Sequence, residues 1–423
     1  MIATATADSL PATASSERST AAIAALRNAD AVRERCRMVH DWVAAGRSPH
    51  FTIEPGHLEA VADDVVRVTR EAYPDLRIPY HSRWRHFVVG DVDRWQDLES
   101  RLPADPLERA RIAIDLATVS VLLDAGAGAA WRYRDAPSGL TLGRSEGLAI
   151  ASLAMFDAGA FSSDPRVPWR CDSKALRGLE AASLGRHFQV DAGNPLVGLE
   201  SRAALLRRLG TTLADRPELF GSECPRPGHL VDHVLARHGK RVRAADVLAM
   251  LLDGLSPIWP SGMVLHGIPI GDAGRHPAIR TGDATDQIVP FHKLSQWLAY
   301  SLLEPIESAG VEVTEIDALT ALPEYRNGGL LVDHGVIAPR QPIDPAVAHE
   351  VGSELIVEWR ALTVTLMDRL LVPVRERLGL GSAFKLPHLL QGGTWSAGRQ
   401  IARRLRPPDG PPPISVAADG TVF

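Results

Sequence analysis

The stretch Leu107-Glu-Arg-Ala-Arg-Ile-Ala-Ile-Asp-Leu-Ala-Thr-Val-Ser-Val-Leu-Leu123, followed by Asp124-Ala-Gly-Ala-Gly128 and then Trp131-Arg-Tyr133, decides the fold class. Its first turns carry Glu108, Arg109 and Arg111, but towards its end apolar residues fall on nearly every side. A helix with no polar face belongs in the middle of a core. Helical periodicity along the rest of the chain supplies the neighbours. Ile23, Leu26, Val32, Cys36, Val39 and Val43 predict a helix over 19–45, capped by Ser19 or Thr20. Leu58, Val61, Val65 and Val68 predict another over 56–73. Further helices are expected over 145–157, 173–185, 198–214, 228–238, 243–253 and 290–309. Pro290 suits the first turn of the last of these, and Pro305 is expected to bend or end it. A long helical pattern follows Asp344-Pro345 with a break at Pro373, and a final one covers 386–405. Strand signals are short, such as Phe87 to Val89. The expectation is an all-α chain: a disordered leader over 1–18, one composite helical domain over 19–406, and an extended tail over 407–423. The loop-rich stretches 75–92 and 256–285 are candidates for function or motion.

Bulk properties narrow the function classes. The chain has 423 residues, 45% of them hydrophobic, which is enough for a large core. Its net charge of −5 is spread over interspersed acids and bases, so no basic footprint for nucleic acid or an anionic membrane is expected. No window has about 18 uninterrupted apolar residues, so no membrane span is expected. Cys36, Cys171 and Cys224 form no CxxC pair and imply a reducing, cytoplasmic setting. The Ala/Ser/Thr-rich start lacks the basic and apolar regions of a signal peptide.

Four constellations can carry chemistry. In the first, the apolar helix delivers Asp124 to a glycine-rich turn, with Trp131 placed to stack on a flat group; a helix end with a structural aspartate is the alternative. In the second, Arg144, Ser145 and Glu146 open a buried helix, where free amides and the dipole favour an anion; plain capping and salt bridging would use the same residues. In the third, His292, Lys293 and Gln296 interrupt an apolar helix start. A lysine is disfavoured at a helix N-terminus and calls for an anionic partner, unless it simply reaches the surface. The fourth is Glu324-Tyr325-Arg326, a carboxylate beside a guanidinium between apolar runs, or an ordinary surface loop. Two other patterns are weak. His229 and His233 have metal-binding spacing, but Leu230 stands where a metalloprotease glutamate would be, and a solvated helix face explains them. Gly282-Asp-Ala-Thr-Asp286 has the composition of a diphosphate-binding loop without the strand–loop–helix context such a loop needs. Neither a metal nor an organic cofactor is expected.

The motifs HSRWRHF (81–87), LLDAGAGAAWRY (122–133), GRSEGLAIASLAMF (143–156), VPFHKLSQWLAYSLLEP (289–305), LPEYRNGGLLVD (322–333), GGTWSAGR (392–399) and DGTVF (419–423) resemble the uracil-catabolism protein family along nearly the whole chain. That family is sometimes labelled a uracil phosphoribosyltransferase. The resemblance implies a step in a pyrimidine-degrading route that passes through ribosylurea and ends in urea and 3-hydroxypropionate. The order of segments is also similar to that of the queuosine-salvage nucleoside glycosylases, helical proteins related to DNA glycosylases. This second resemblance implies a helical N-glycosylase fold. It departs at Glu324, where that family has aspartate, and at Ala125, Gly126 and Glu146, which replace aromatic base-pocket positions. A smaller, more polar leaving group than queuine is therefore expected. Together the resemblances imply an N-ribosyl hydrolase acting on ribosylurea or its phosphate. Glu324, Asp124 and Lys293 would be catalytic. Trp131, Arg144, Ser145, Glu146, His292, Gln296, Tyr325 and Arg326 would hold the substrate. Another step of the same route (an amidohydrolase or transferase) and a non-catalytic binder of an intermediate are the other readings. Oligomeric state is not legible.

Overall fold

The computed structural model describes residues 12–417, apart from Ala129 and Ser261. The architecture is mostly helical. Strands are two to four residues long and pair only in twos, so no sheet organises the core. The Pro106–Leu122 helix sits where its composition demands, buried from Ile112 to its end. Asp105 caps it by accepting from the N–H groups of Leu107 and Glu108. It packs against the Lys293–Ser308 helix and the Arg144–Asp157 helix. The Glu354–Leu378 helix spans the other side and packs on Ala29–Ala44 and Leu58–Ala72.

Several boundaries differ from the sequence expectation for local reasons. The helix expected over 19–45 is two, Ala12–Ala24 and Ala29–Ala44. Asn28 breaks it, adopting extended backbone and accepting from Ala31 N to start the second helix. The first of these helices lies partly in the stretch expected to be a disordered leader, since its alanines favour helix; residues 1–11 lie outside the described residues. Pro290 ends a strand, Ile288–Pro290, rather than opening a helix. Pro305 and Pro373 both lie inside continuous helices. The loop-rich stretch 256–285 holds a small hairpin, Met263–Leu265 with Ile268–Gly271, and the strand Ala273–Arg275, which pairs with Ile288–Pro290. The tail runs to the strand Ser415–Ala417, parallel to Ala348–Glu350; residues 418–423, and with them the whole DGTVF motif, lie outside the described residues.

Candidate functional site

A cavity of about 380 Å³ opens where the N-termini of three helices, Arg144–Asp157, Lys293–Ser308 and Tyr325–Asp333, meet the end of the Pro106–Leu122 helix. That volume suits a small metabolite. Asp124, Lys293 and Glu324 all line it, as do Arg144, Ser145, Tyr325 and Arg326.

Asp124 leaves the buried helix at the start of the glycine-rich turn. Its Oδ2 lies 2.8 Å from Arg83 Nη1, both side chains being buried. Arg83 is itself fixed by Ser120 Oγ, 2.7 Å from its Nε, and Ser120 bonds to Ser152. The remaining oxygen, Oδ1, meets no donor among the described residues. Such a buried acceptor is costly unless something else satisfies it. The turn is held from behind by Arg202, which donates to the carbonyls of Ala125 (2.9 Å) and Gly126 (2.7 Å). Gly128 is required there: its φ is +84°, and a Cβ would come within 2.7 Å of Val197.

Lys293 is the first residue of its helix. Its backbone N–H donates to Asp272 Oδ2 at 2.9 Å, and Asp272 is gripped in bidentate fashion by Arg360 at 2.9 and 2.7 Å. Arg360 in turn lies 4.1 Å above the Phe291 ring. This buried clamp supplies the negative charge that a helix start carrying a lysine needs. Burial and the neighbouring Arg360 hold the Lys293 ammonium below the usual lysine range, against the pull of Glu324, Asp272 and Asp124. Glu324 caps the third helix, accepting from the N–H groups of Arg326 (2.7 Å) and Asn327 (2.6 Å). Burial raises its carboxyl above the usual range despite those bonds and despite Lys293 and Arg326. The two environments push acid and base towards proton exchange, the pattern of groups tuned for acid–base work.

Four residues expected to hold substrate do not reach the cavity wall. Trp131 is fully buried, donates from Nε1 to the Phe188 carbonyl at 3.0 Å and stacks on the Phe188 ring. Gly147 makes room for it, since a Cβ there would lie 2.9 Å from Trp131 Cζ3. His292 adopts a left-handed backbone (φ +51°), and its Nε2 bonds to the Leu26 carbonyl at 2.9 Å. Gln296, one turn after Lys293, faces inward and bonds to both the backbone and the hydroxyl of Thr320. Glu146 pairs with Arg399 at 2.9 Å.

Other cavity residues carried no clear sequence signal. His81 and His86 come from a short helical turn, Arg83–Phe87, and its lead-in. Their rings contact Trp297 at 4.6 and 5.8 Å, and His86 also meets Trp395 at 6.2 Å, forming an aromatic wall. Burial lowers both imidazoles to about 4, helped at His86 by the Arg83 charge. The tail closes the remaining side with Pro411, Pro412, Ile414 and Val416. Arg326 fastens it by donating to the Gly410 carbonyl at 3.0 Å, and Arg406 does so by gripping Asp333 and donating to the Pro411 carbonyl.

The weaker patterns resolve into local structure. His229 and His233 bond to the backbone carbonyls of Phe220 and Glu218. Asp283 and Asp286 bond to Thr281 and Thr285 within their own turn. Among the described residues, one group has metal-ligand spacing: His276, Glu354 and Glu358, with ligand atoms within 4.8 Å of one another. His276 bonds to Glu358 at 3.1 Å and Ser48 donates to the same carboxylate, which accounts for it as a buried polar tie between segments.

Residues 25–423 match the family described as "Protein of unknown function (DUF1688)". The chain is 41% identical over 415 residues to "Protein urg3" of Schizosaccharomyces pombe, covering 96% of this chain and 100% of that protein. It is 38% identical over 434 residues to "Uracil catabolism protein 4" of Lachancea kluyveri, covering 94% of this chain and 98% of that protein. Matched by the family over nearly its whole length, and similar to both relatives from end to end, the chain belongs to the uracil-catabolism protein family described as DUF1688.

Proposed function

We propose that the protein acts in uracil catabolism as an N-ribosyl hydrolase, cleaving ribosylurea or its phosphate into urea and the ribosyl product. The observation that carries this reading is the meeting of Asp124, Lys293 and Glu324 in one cavity of metabolite size. The name of the Lachancea kluyveri relative supports the pathway. In the reaction the bond between C1′ and the urea nitrogen breaks, a water oxygen bonds to C1′, and a proton goes to the departing nitrogen. Positive charge builds on the sugar as the bond opens. Asp124 offers its unpartnered Oδ1 to that charge, while Arg83 behind it fixes the carboxylate's position. Glu324, with its raised carboxyl and Lys293 nearby, handles the proton of the attacking water. The departing urea nitrogen takes its proton from the Lys293 ammonium, which burial makes more acidic, since His292 faces away and the His81 and His86 imidazoles are held neutral.

The test is incubation of the purified protein with ribosylurea and assay of free urea. Asp124→Asn is expected to bind substrate nearly normally and to lose about a hundredfold in turnover, because its charge matters mainly in the transition state. Glu324→Gln should lose a similar factor. Near-wild-type urea release by both variants would sink the glycosidase reading. A binder without chemistry is favoured by one observation, that both Glu324 oxygens already accept backbone N–H groups. Tight substrate binding with no urea release from the wild-type protein would select it.

A further inference from the structure

We infer that the wall around Arg144 and Ser145 is a subsite for a phosphate monoester, so that the ribosyl substrate is bound as its phosphate. The inference rests on the ribosyl reading above and narrows it. Three helices begin at the cavity; in two a carboxylate accepts from the opening backbone N–H groups, while the first-turn acid of the third, Glu146, is paired with Arg399. Asp272 accepts from Lys293 N, and Glu324 accepts from Arg326 N and Asn327 N. The third, Arg144–Asp157, starts after Gly143 and has no side-chain cap. It is 14 residues long, so its dipole is fully developed at that end. Arg144 and Ser145 line the cavity from its first turn, and Arg144 has no carboxylate partner among the described residues. Uncapped amides beside an unpaired guanidinium are the elements of an anion site.

Independent observations from the other walls also point to a ligand rich in acceptors. Trp297 is 5% exposed and lines the cavity, yet its Nε1–H finds no acceptor among the described residues. Arg326 is 4% exposed, and its Nε–H likewise finds none. Arg144 and Arg326 carry positive charge into the wall, while Arg83 already faces Asp124 from behind. A neutral ribosyl compound would bring no negative charge to Arg144 and Arg326. A phosphate oxygen cluster supplies it, while ribose hydroxyls supply the donor that Asp124 Oδ1 lacks.

The test is equilibrium binding of ribose, ribose 5-phosphate and inorganic phosphate to the full chain by calorimetry, with no turnover required. Ribose 5-phosphate is expected to bind at least about tenfold more tightly than ribose, the scale of one charge-assisted contact. Arg144→Gln, an exposed position, should remove most of that preference and leave both the thermal midpoint of the free protein and the affinity for ribose in place. Inorganic phosphate should compete with ribose 5-phosphate. Equal affinities for the two sugars, a preference that survives Arg144→Gln, or no binding of either sugar would overturn the subsite. Inorganic phosphate that instead strengthens ribose binding would assign the site to free phosphate and overturn the substrate-phosphate form. Urea release from unphosphorylated ribosylurea without preference for the phosphate would fail this inference alone. Tight ribose 5-phosphate binding with no cleavage of either form would fail the hydrolase reading alone.

Discussion

His81 is buried and His86 half-buried in the cavity wall, and their imidazoles are lowered from the ordinary 6.5 to about 4. The folded protein therefore prefers them neutral, whereas the unfolded chain protonates them below about 6.5. Their contribution to stability is complete above about pH 6.5 and is lost progressively as the pH falls towards 4. For His81 alone the shift corresponds to roughly 3 kcal/mol. Urea unfolding at a series of pH values should show this decline, and His81→Gln should flatten it; a profile unchanged by the substitution would contradict the assignment. The residue scale also shows what sequence can and cannot place. Asp124, Lys293 and Glu324 were legible because charge interrupting an apolar run must have a partner. Trp131, His292 and Gln296 sit in the same motifs but turn inward. Which way each points is set by one left-handed residue, one helical turn, or the space left by Gly147, none of which a periodicity reveals.

Among the elements, the Arg144–Asp157 helix meets the Trp131 segment through a glycine. A Cβ at Gly147 would lie 2.9 Å from Trp131 Cζ3 and 3.1 Å from the Leu142 carbonyl oxygen. Gly147→Ala is therefore expected to destabilise the protein by about 1–3 kcal/mol through overpacking, despite the better helix propensity of alanine. Denaturant unfolding checks this, and a stabilised variant would contradict it. Glu324 has a double position as cap and cavity carboxylate, so Glu324→Gln should also cost about 1 kcal/mol of stability. The thermal midpoint must be reported beside its turnover. Helix existence followed from the sequence because apolar spacing is a property of the chain itself. Helix ends were less legible: Asn28 splits one expected helix, and two prolines are absorbed inside others. Such outcomes depend on tertiary neighbours. The aromatic wall of His81, His86, Trp297 and Trp395 was missed for the same reason, since its members come from three separate segments.

At the scale of the whole molecule, the cavity is walled by residues from His81 to Val416. The Pro-rich tail reads in the sequence only as an extended segment, yet Ile414 is 1% exposed and the neighbouring prolines close the site. Deleting residues 410–423 should leave the helical circular dichroism in place, lower stability by about 1.5–3 kcal/mol through loss of Ile414 burial, and weaken ribose 5-phosphate binding at least about tenfold. Unchanged affinity would show the tail to be a bystander. A wall gathered from such distant parts of the chain has a thermodynamic corollary. A ligand seated among them acts as a fastener, because the unfolded chain offers it nothing to hold. At a hundred times its dissociation constant it should add about 2.7 kcal/mol to the unfolding free energy. The same linkage makes the tail a reporter: amide hydrogens of residues 414–417, which exchange through local opening, should exchange more slowly as ligand is added.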